Sequence, residues 1–71
     1  MAASMVDVEI GTVLRLLPER LRGGAVVDLA GVESVILQGH GYGAIPWSLV
    51  ETPDGQRVRA LNQDLEDAIL A

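Results

Sequence analysis

The chain contains no cysteine, no lysine and no phenylalanine, and its aromatic residues are one tryptophan and one tyrosine. The lack of cysteine excludes disulfides and thiolate metal sites, and it fits a reducing compartment. The apolar runs are too short to span a bilayer. The N-terminus also lacks the basic region and apolar run that are typical of a signal peptide. We therefore expect a soluble, cytoplasmic protein without a cofactor bound through thiolates.

Positive charge is also scarce. The chain has ten acidic residues and five arginines, which gives a net charge of −5 and an isoelectric point near 4.5. Such a chain is a poor match for the phosphates of a nucleic acid and for an anionic membrane surface. The acidic residues are spread along the chain and do not form a tail. We expect neither nucleic acid nor membrane as a partner.

Apolar residues, by contrast, are abundant for so short a chain. Seventy-one residues make one domain at most, spanning residues 1–71, and a domain of this size buries only about 60% of the surface that its unfolded chain exposes. Yet 49% of the residues are apolar, and the mean hydropathy is +0.33. Apolar surface that one small domain leaves uncovered usually marks an interface. The composition therefore predicts a homo-oligomer.

The N-terminal third allows two interpretations. Alternating apolar residues predict a strand over Val6–Leu14. Helical spacing of apolar residues over Ile10–Leu21 is the alternative, and Pro18 and Gly11 disfavour it. We predict the strand, followed by a short helical turn within Leu16–Gly24 that begins at the proline.

Two β-rich runs follow, Ala25–Leu29 and Val32–Gln38. In the second run, Val35 and Leu37 are predicted to face inward, and Ile36 is predicted to face a partner. A fully buried strand would show the same pattern.

The clearest local signal is a hairpin. Ala44–Glu51 is predicted to be a strand that is irregular or at a sheet edge around Pro46, because proline has no amide hydrogen to donate. Thr52–Gly55 predicts a tight turn, since proline presets φ and glycine accepts a positive φ. Arg57–Leu61 is predicted to be the return strand.

Trp47 can be interpreted in two ways, as the anchor of the core or as an interface residue of the kind that often dominates binding. Arg57 and Arg59 share a strand face, where they could bind an acidic partner or pair with Glu51 across the hairpin. The pairing is the simpler interpretation. The candidate interface residues are Ile36, Tyr42, Trp47, Arg57 and Arg59.

The C-terminal segment predicts a short helix over Leu65–Leu70, with Asn62 or Asp64 as its cap. Asp64, Glu66 and Asp67 could in principle bind a hard cation. Capping and compensation of the helix dipole explain the same three residues, so no metal site is predicted.

His40 is the only histidine and has no cysteine to join it, so we interpret it as a solvated loop residue. The Gly39-x-Gly41-x-Gly43 spacing differs from the dinucleotide-binding fingerprint. No catalytic or cofactor-binding residues are predicted. An enzyme would require an oligomer that brings His40 of one subunit to a carboxylate of another.

Together these elements predict a mainly β, α+β fold: a small bent antiparallel sheet or an SH3- or PRC-like barrel, with one short helical turn and a short C-terminal helix. Three stretches (Ile45–Val50, Pro53–Gly55 and Arg57–Leu61) give a strand, a turn and a return strand, and Glu9–Val13 precedes them. In these stretches the chain resembles the PRC-barrel family of small β-barrels. The resemblance implies a docking or scaffolding module without catalytic residues.

The predicted function is a non-catalytic protein–protein interaction or assembly module that acts as a homo-oligomer. The alternative is a carrier of a small apolar ligand or lipid. Its cavity would be lined by Val27, Leu29, Val35, Leu37 and Trp47.

Overall fold

The computed structural model describes residues 5–21, 28–41 and 44–69. These residues form a sheet whose strands are β1 (Val13–Arg15), β2 (Ser34–Gly39), β3 (Trp47–Glu51) and β4 (Arg57–Leu61). The helix α1 and two 3-10 turns accompany the sheet; they span Asn62–Ala68, Met5–Asp7 and Pro18–Arg20. The mainly β, α+β fold that the sequence predicts is confirmed.

The strand order is β1-β2-β3-β4, and each strand is antiparallel to its neighbours. Since β1 and β4 occupy opposite edges, the sheet is open within the described residues. The register between β2 and β3 shifts between Leu37 and Gly39. A bulge of this kind bends a strand and increases its twist. The fold is therefore the bent antiparallel sheet rather than a closed barrel.

The turn between β3 and β4 has the geometry that its sequence predicts. The N–H of Gly55 donates to the carbonyl of Thr52 at 2.9 Å, and the N–H of Thr52 donates to the carbonyl of Gln56 at 2.8 Å. Gly55 has a φ of +88°, a conformation that glycine adopts without steric cost. The turn sets Glu51 opposite Arg57, with 3.6 Å between Oε1 and Nε. The predicted ion pair is confirmed.

The hydrophobic core lies between one face of the sheet and α1. Val35 and Leu37 of β2 are fully buried there, as predicted, and so is Val50 of β3. The helix contributes Leu65 and Ala68. Further buried apolar residues are Met5, Leu14, Leu16, Leu21, Leu29 and Ala60. Each large side chain buried in this way contributes about 1.5–3 kcal/mol relative to an exposed one.

The predicted strand over Val6–Leu14 is wrong except for its last two residues, which begin β1. Gly11 has a φ of +94°, and the N–H of Thr12 donates to the carbonyl of Glu9 at 3.1 Å. The chain therefore turns where the alternation predicted continued extension. The segment before this turn begins with the 3-10 turn Met5–Asp7.

The middle of the chain gives a mixed outcome. The predicted turn at Pro18 is confirmed as a 3-10 turn with the proline at its start. Of the strand predicted over Ala25–Leu29, residues 25–27 lie outside the described residues, and Asp28 and Leu29 belong to no strand. The carbonyl of Leu29 accepts the N–H of Val32 at 3.0 Å, so the chain turns there instead of extending.

Helix α1 begins three residues earlier than the predicted Leu65–Leu70 and ends at Ala68. Residue 70 lies outside the described residues. Leu61 precedes the first turn, and no side chain caps it. The predicted cap by Asn62 or Asp64 is therefore wrong, because Asn62 already lies inside the helix.

Asn62 instead fastens the helix to the sheet. Its N–H donates to the carbonyl of Pro46 at 2.8 Å, and its side-chain oxygen accepts the hydroxyl of Ser48. Ser48 is fully buried, so this bond satisfies a polar group that has lost its water. Pro46 lies beyond the last pair between β3 and β2, which joins Leu49 to Gly39. The irregularity predicted at Pro46 is confirmed.

Candidate interaction face

The side of the sheet opposite the core, called here the outer face, is formed by the strand residues that alternate with the buried ones. Its members are Val13, Arg15, Ser34, Ile36, Trp47, Leu49, Glu51, Arg57, Arg59 and Leu61. Helix α1 packs on the other side of the sheet, where Leu65 and Ala68 join the core. The outer face is thus turned away from α1, and half of its ten members are apolar. It is therefore the part of the molecule to consider first for binding.

An apolar band crosses the outer face from β1 to β4. Val13 is directly opposite Ile36, and Trp47 is directly opposite Leu61. Leu49 lies two residues from Trp47, and it is a diagonal neighbour of Ile36, because Ile36 pairs with Glu51. Val13 is 60% exposed and Leu61 is 46% exposed, while the other three are half-buried. Contiguous apolar surface of this kind marks interaction sites.

Trp47 lies on the outer face, so its interpretation as the core anchor is wrong. The inward positions of β3 are Ser48 and Val50, and both are fully buried. The guanidinium carbon of Arg59 lies 4.9 Å from the centre of the Trp47 ring. A cation–π contact at an exposed site contributes about 0.5–1 kcal/mol. This contact holds the long arginine side chain against the apolar band.

The charge of the outer face differs from that of the chain as a whole. The outer face carries three arginines, Arg15, Arg57 and Arg59, and one carboxylate, Glu51. Its formal charge is therefore +2. The rest of the chain must then carry −7 to reach the net charge of −5. The ion pair between Glu51 and Arg57 is exposed, and such pairs contribute at most about 1 kcal/mol. The outer face is thus the basic side of an acidic protein.

Four of the five candidate interface residues come together on this face: Ile36, Trp47, Arg57 and Arg59. Tyr42 lies outside the described residues. Sequence reasoning missed Val13, Leu49 and Leu61 as members of the face. For Leu49 and Leu61 the signal was available, because they share the alternation of Trp47 and Arg59. No such signal was available for Val13, because the strand predicted over Val6–Leu14 had the wrong extent.

His40 has a structural contact rather than the solvated position expected for it. Its ring atom Nε2 lies 2.5 Å from the carbonyl oxygen of Val8, which makes Nε2–H the donor. The ring is half-buried and ties the segment after β2 to the N-terminal segment. Among the described residues, no three of the side chains that usually bind metals form a group that could hold an ion.

Of the three acidic residues of α1, Glu66 has a structural role. Glu66 accepts the backbone N–H of Met5 through Oε2 at 2.7 Å, which joins the helix to the first 3-10 turn. One carboxylate oxygen of Asp64 is buried and has no hydrogen-bond partner among the described residues. Asp67 is exposed. The three carboxylates therefore do not converge on one point.

The residues proposed for an apolar cavity are separated in the fold. Leu29, Val35 and Leu37 are packed in the core, Trp47 lies on the outer face, and Val27 lies outside the described residues. A cleft beside Val13 and Pro53 holds about 160 Å³. Ligand pockets usually measure roughly 300–1,000 Å³, so this cleft is too small to carry a lipid. A second cleft, beside Pro18 and Glu33, holds about 530 Å³, but none of the residues expected to line an apolar cavity is among its lining residues.

Within the part of the chain that the structure describes, no helix has the length and apolar character needed to cross a membrane. The resemblance to the PRC-barrel family stays a prediction that depends on the residues quoted for it. Comparison of the chain with models of known protein families, with curated proteins and with solved structures finds no match.

Proposed function

We propose that the chain is a non-catalytic protein–protein interaction module that assembles with copies of itself through the outer face. The observation that supports this most strongly is the apolar band. It consists of Val13, Ile36, Leu49, Trp47 and Leu61, and it crosses the whole sheet. Covering such a band removes apolar surface from water, which stabilises the contact by about 25 cal/mol for each Å².

The architecture supports the same proposal. A sheet with apolar side chains on both faces is stable when a second layer covers each face. Here helix α1, which contacts β4 and both 3-10 turns, supplies a layer on the core side. A second copy of the chain would supply the other. The lack of cysteine fits assembly in a reducing compartment such as the cytoplasm.

Sedimentation velocity over a wide range of protein concentrations tests the proposal. We expect the wild-type chain to form oligomers. We expect the Val13→Thr/Leu61→Thr double variant to associate at least roughly tenfold more weakly. Threonine suits a strand, so the fold is retained. The matched control is Ile10→Thr, which removes a side chain of similar exposure outside the strands. A wild-type chain that stays monomeric at high concentration would refute the proposal.

A further inference from the structure

Resting on the proposed function, we infer that the copies associate head to tail, with the outer face of one copy against the acidic surface of helix α1 on the next. The structure has two surfaces of opposite charge on opposite sides of the sheet. The outer face carries +2, as shown above. The second surface is formed by α1, which carries three carboxylates and no basic residue.

The position of the acidic surface follows from the packing of α1. Leu65 and Ala68 face the core, so the residues on the other side of the helix face away from the sheet. Gln63 and Asp67 are exposed there, and Glu66 is half-exposed. Because α1 covers the core side of the sheet, its acidic surface and the outer face point in opposite directions.

Charge complementarity favours this arrangement over a twofold contact. If two outer faces met about a twofold axis, a surface of +2 would meet another of +2, with Arg15, Arg57 and Arg59 on both sides. Like charges brought together at an interface cost several kcal/mol and suppress that pairing. In the head-to-tail contact, the arginines approach the exposed carboxylate of Asp67 and the half-exposed carboxylate of Glu66. The apolar band then provides contact area, and the surrounding charges set the orientation.

Two unlike surfaces in contact make the association heterologous. Each copy uses its outer face for one neighbour and its helix surface for another, so the assembly either closes into a ring or extends as a filament. A twofold contact would instead stop at a dimer. An assembly larger than a dimer would therefore indicate the head-to-tail contact, and a dimer would indicate the twofold contact.

Complementation between two variants tests the inference. The face variant, Arg15→Glu/Arg59→Glu, changes the outer face from +2 to −2 and leaves α1 intact. The helix variant, Gln63→Arg/Asp67→Arg, neutralises the helix surface and leaves the outer face intact. All four side chains are exposed. We expect each variant alone to assemble at least roughly tenfold more weakly than the wild-type chain. An equimolar mixture should restore association by forming a one-to-one heterodimer.

The heterodimer is expected because the intact outer face of the helix variant can bind the intact α1 of the face variant. The two surfaces that remain are both altered. Glu9→Arg is the control, since it reverses an exposed charge in the turn before β1, outside the strands and α1. It should assemble like the wild-type chain. Circular dichroism of each variant checks that it folds, and Arg15→Glu alone replaces the face variant if the double substitution unfolds.

The remaining outcomes separate the inference from the proposed function. If the helix variant assembles as strongly as the wild-type chain and the mixture gives no heterodimer, the head-to-tail inference is overturned while self-assembly stands. If the wild-type chain is monomeric, both are overturned, and an acidic protein becomes the partner to seek for the outer face.

Discussion

Replacing Gly41 by alanine should strongly destabilise the fold. Gly41 is buried, and it lies against the backbone of the segment that enters β3. A Cβ atom on Gly41 would lie 2.5 Å from the carbonyl oxygen of Ile45, 2.9 Å from its Cγ2 atom, and closer still to the carbonyl oxygen of Trp47. Two of these three atoms belong to the backbone, so a side-chain rotation cannot relieve the clash.

The size of the effect follows from the kind of strain. Adding a methyl group where backbone must move costs about 1–3 kcal/mol, and the short distances at Gly41 place the cost in the upper part of that range. In a domain of this size, each kcal/mol shifts the melting temperature by about 4–8 °C. We therefore expect Gly41→Ala to lower the melting temperature by roughly 10–20 °C.

Gly39→Ala is the matched control, two residues earlier. A Cβ there would lie 3.8 Å from the Cβ of Leu49, which is ordinary van der Waals contact. Alanine also removes the entropic penalty of glycine in a strand, about 0.5–1 kcal/mol. Gly39→Ala should thus be neutral or stabilising.

Thermal unfolding, followed by the fluorescence of Trp47 and by circular dichroism, measures the melting temperatures of both glycine variants. Protein concentration must be held constant, because self-association stabilises the folded state through mass action. If Gly41→Ala were as stable as the wild-type chain, the close approach of Gly41 to the backbone before β3 would be refuted. A similar loss in both variants would point to a general need for glycine in this segment instead.

Two further predictions concern hydrogen bonds. Ser48→Ala leaves Asn62 without its partner from the sheet and should cost about 1–3 kcal/mol in urea unfolding, whereas Ser34→Ala, at a half-buried site, should cost little. The hydroxyl of Thr52, by donating to Asp54, lowers the pKa of Asp54 from its ordinary value of 3.8. The stability that this carboxylate contributes is therefore present above its unfolded pKa and lost as pH falls through the lower folded value. Asp54→Asn should flatten that part of the curve of stability against pH, and an unchanged curve would count against the bond.

Strand β4 and the turn before it could be predicted to the residue. Proline, aspartate and glycine at 53–55 restrict the backbone locally, so three consecutive residues suffice to specify the reversal. The turn then sets the register that places Glu51 opposite Arg57. The same reasoning failed near Gly11, where a single glycine among alternating apolar residues gave no equally strong signal. Alternation continued through the turn at Glu9–Thr12, although the strand did not.

The side of β3 that faces the core could not be predicted from alternation. A period of two shows that Trp47 and Leu49 share a face and that Ser48 and Val50 share the other, but it does not show which face is covered. Apolar content favoured the face of Trp47. The decisive contact is the bond from Ser48 to Asn62, which lies fourteen residues away and belongs to the helix. The candidate site was therefore identified in part by residue type and completed only by the packing of α1.

The contacts between the ends of the described chain constrain how a newly made copy folds. Met5 binds Glu66 across sixty-one positions, the N–H of Leu17 donates to the carbonyl of Ala68 at 2.8 Å, and Leu16 forms a bridge with Ile69. Such distant pairings form slowly, because a long loop must close before they stabilise anything. The hairpin of β3 and β4, whose partners are close in sequence, can form early in folding. The N-terminal segment has to wait, with its leucines still in water, until helix α1 has formed.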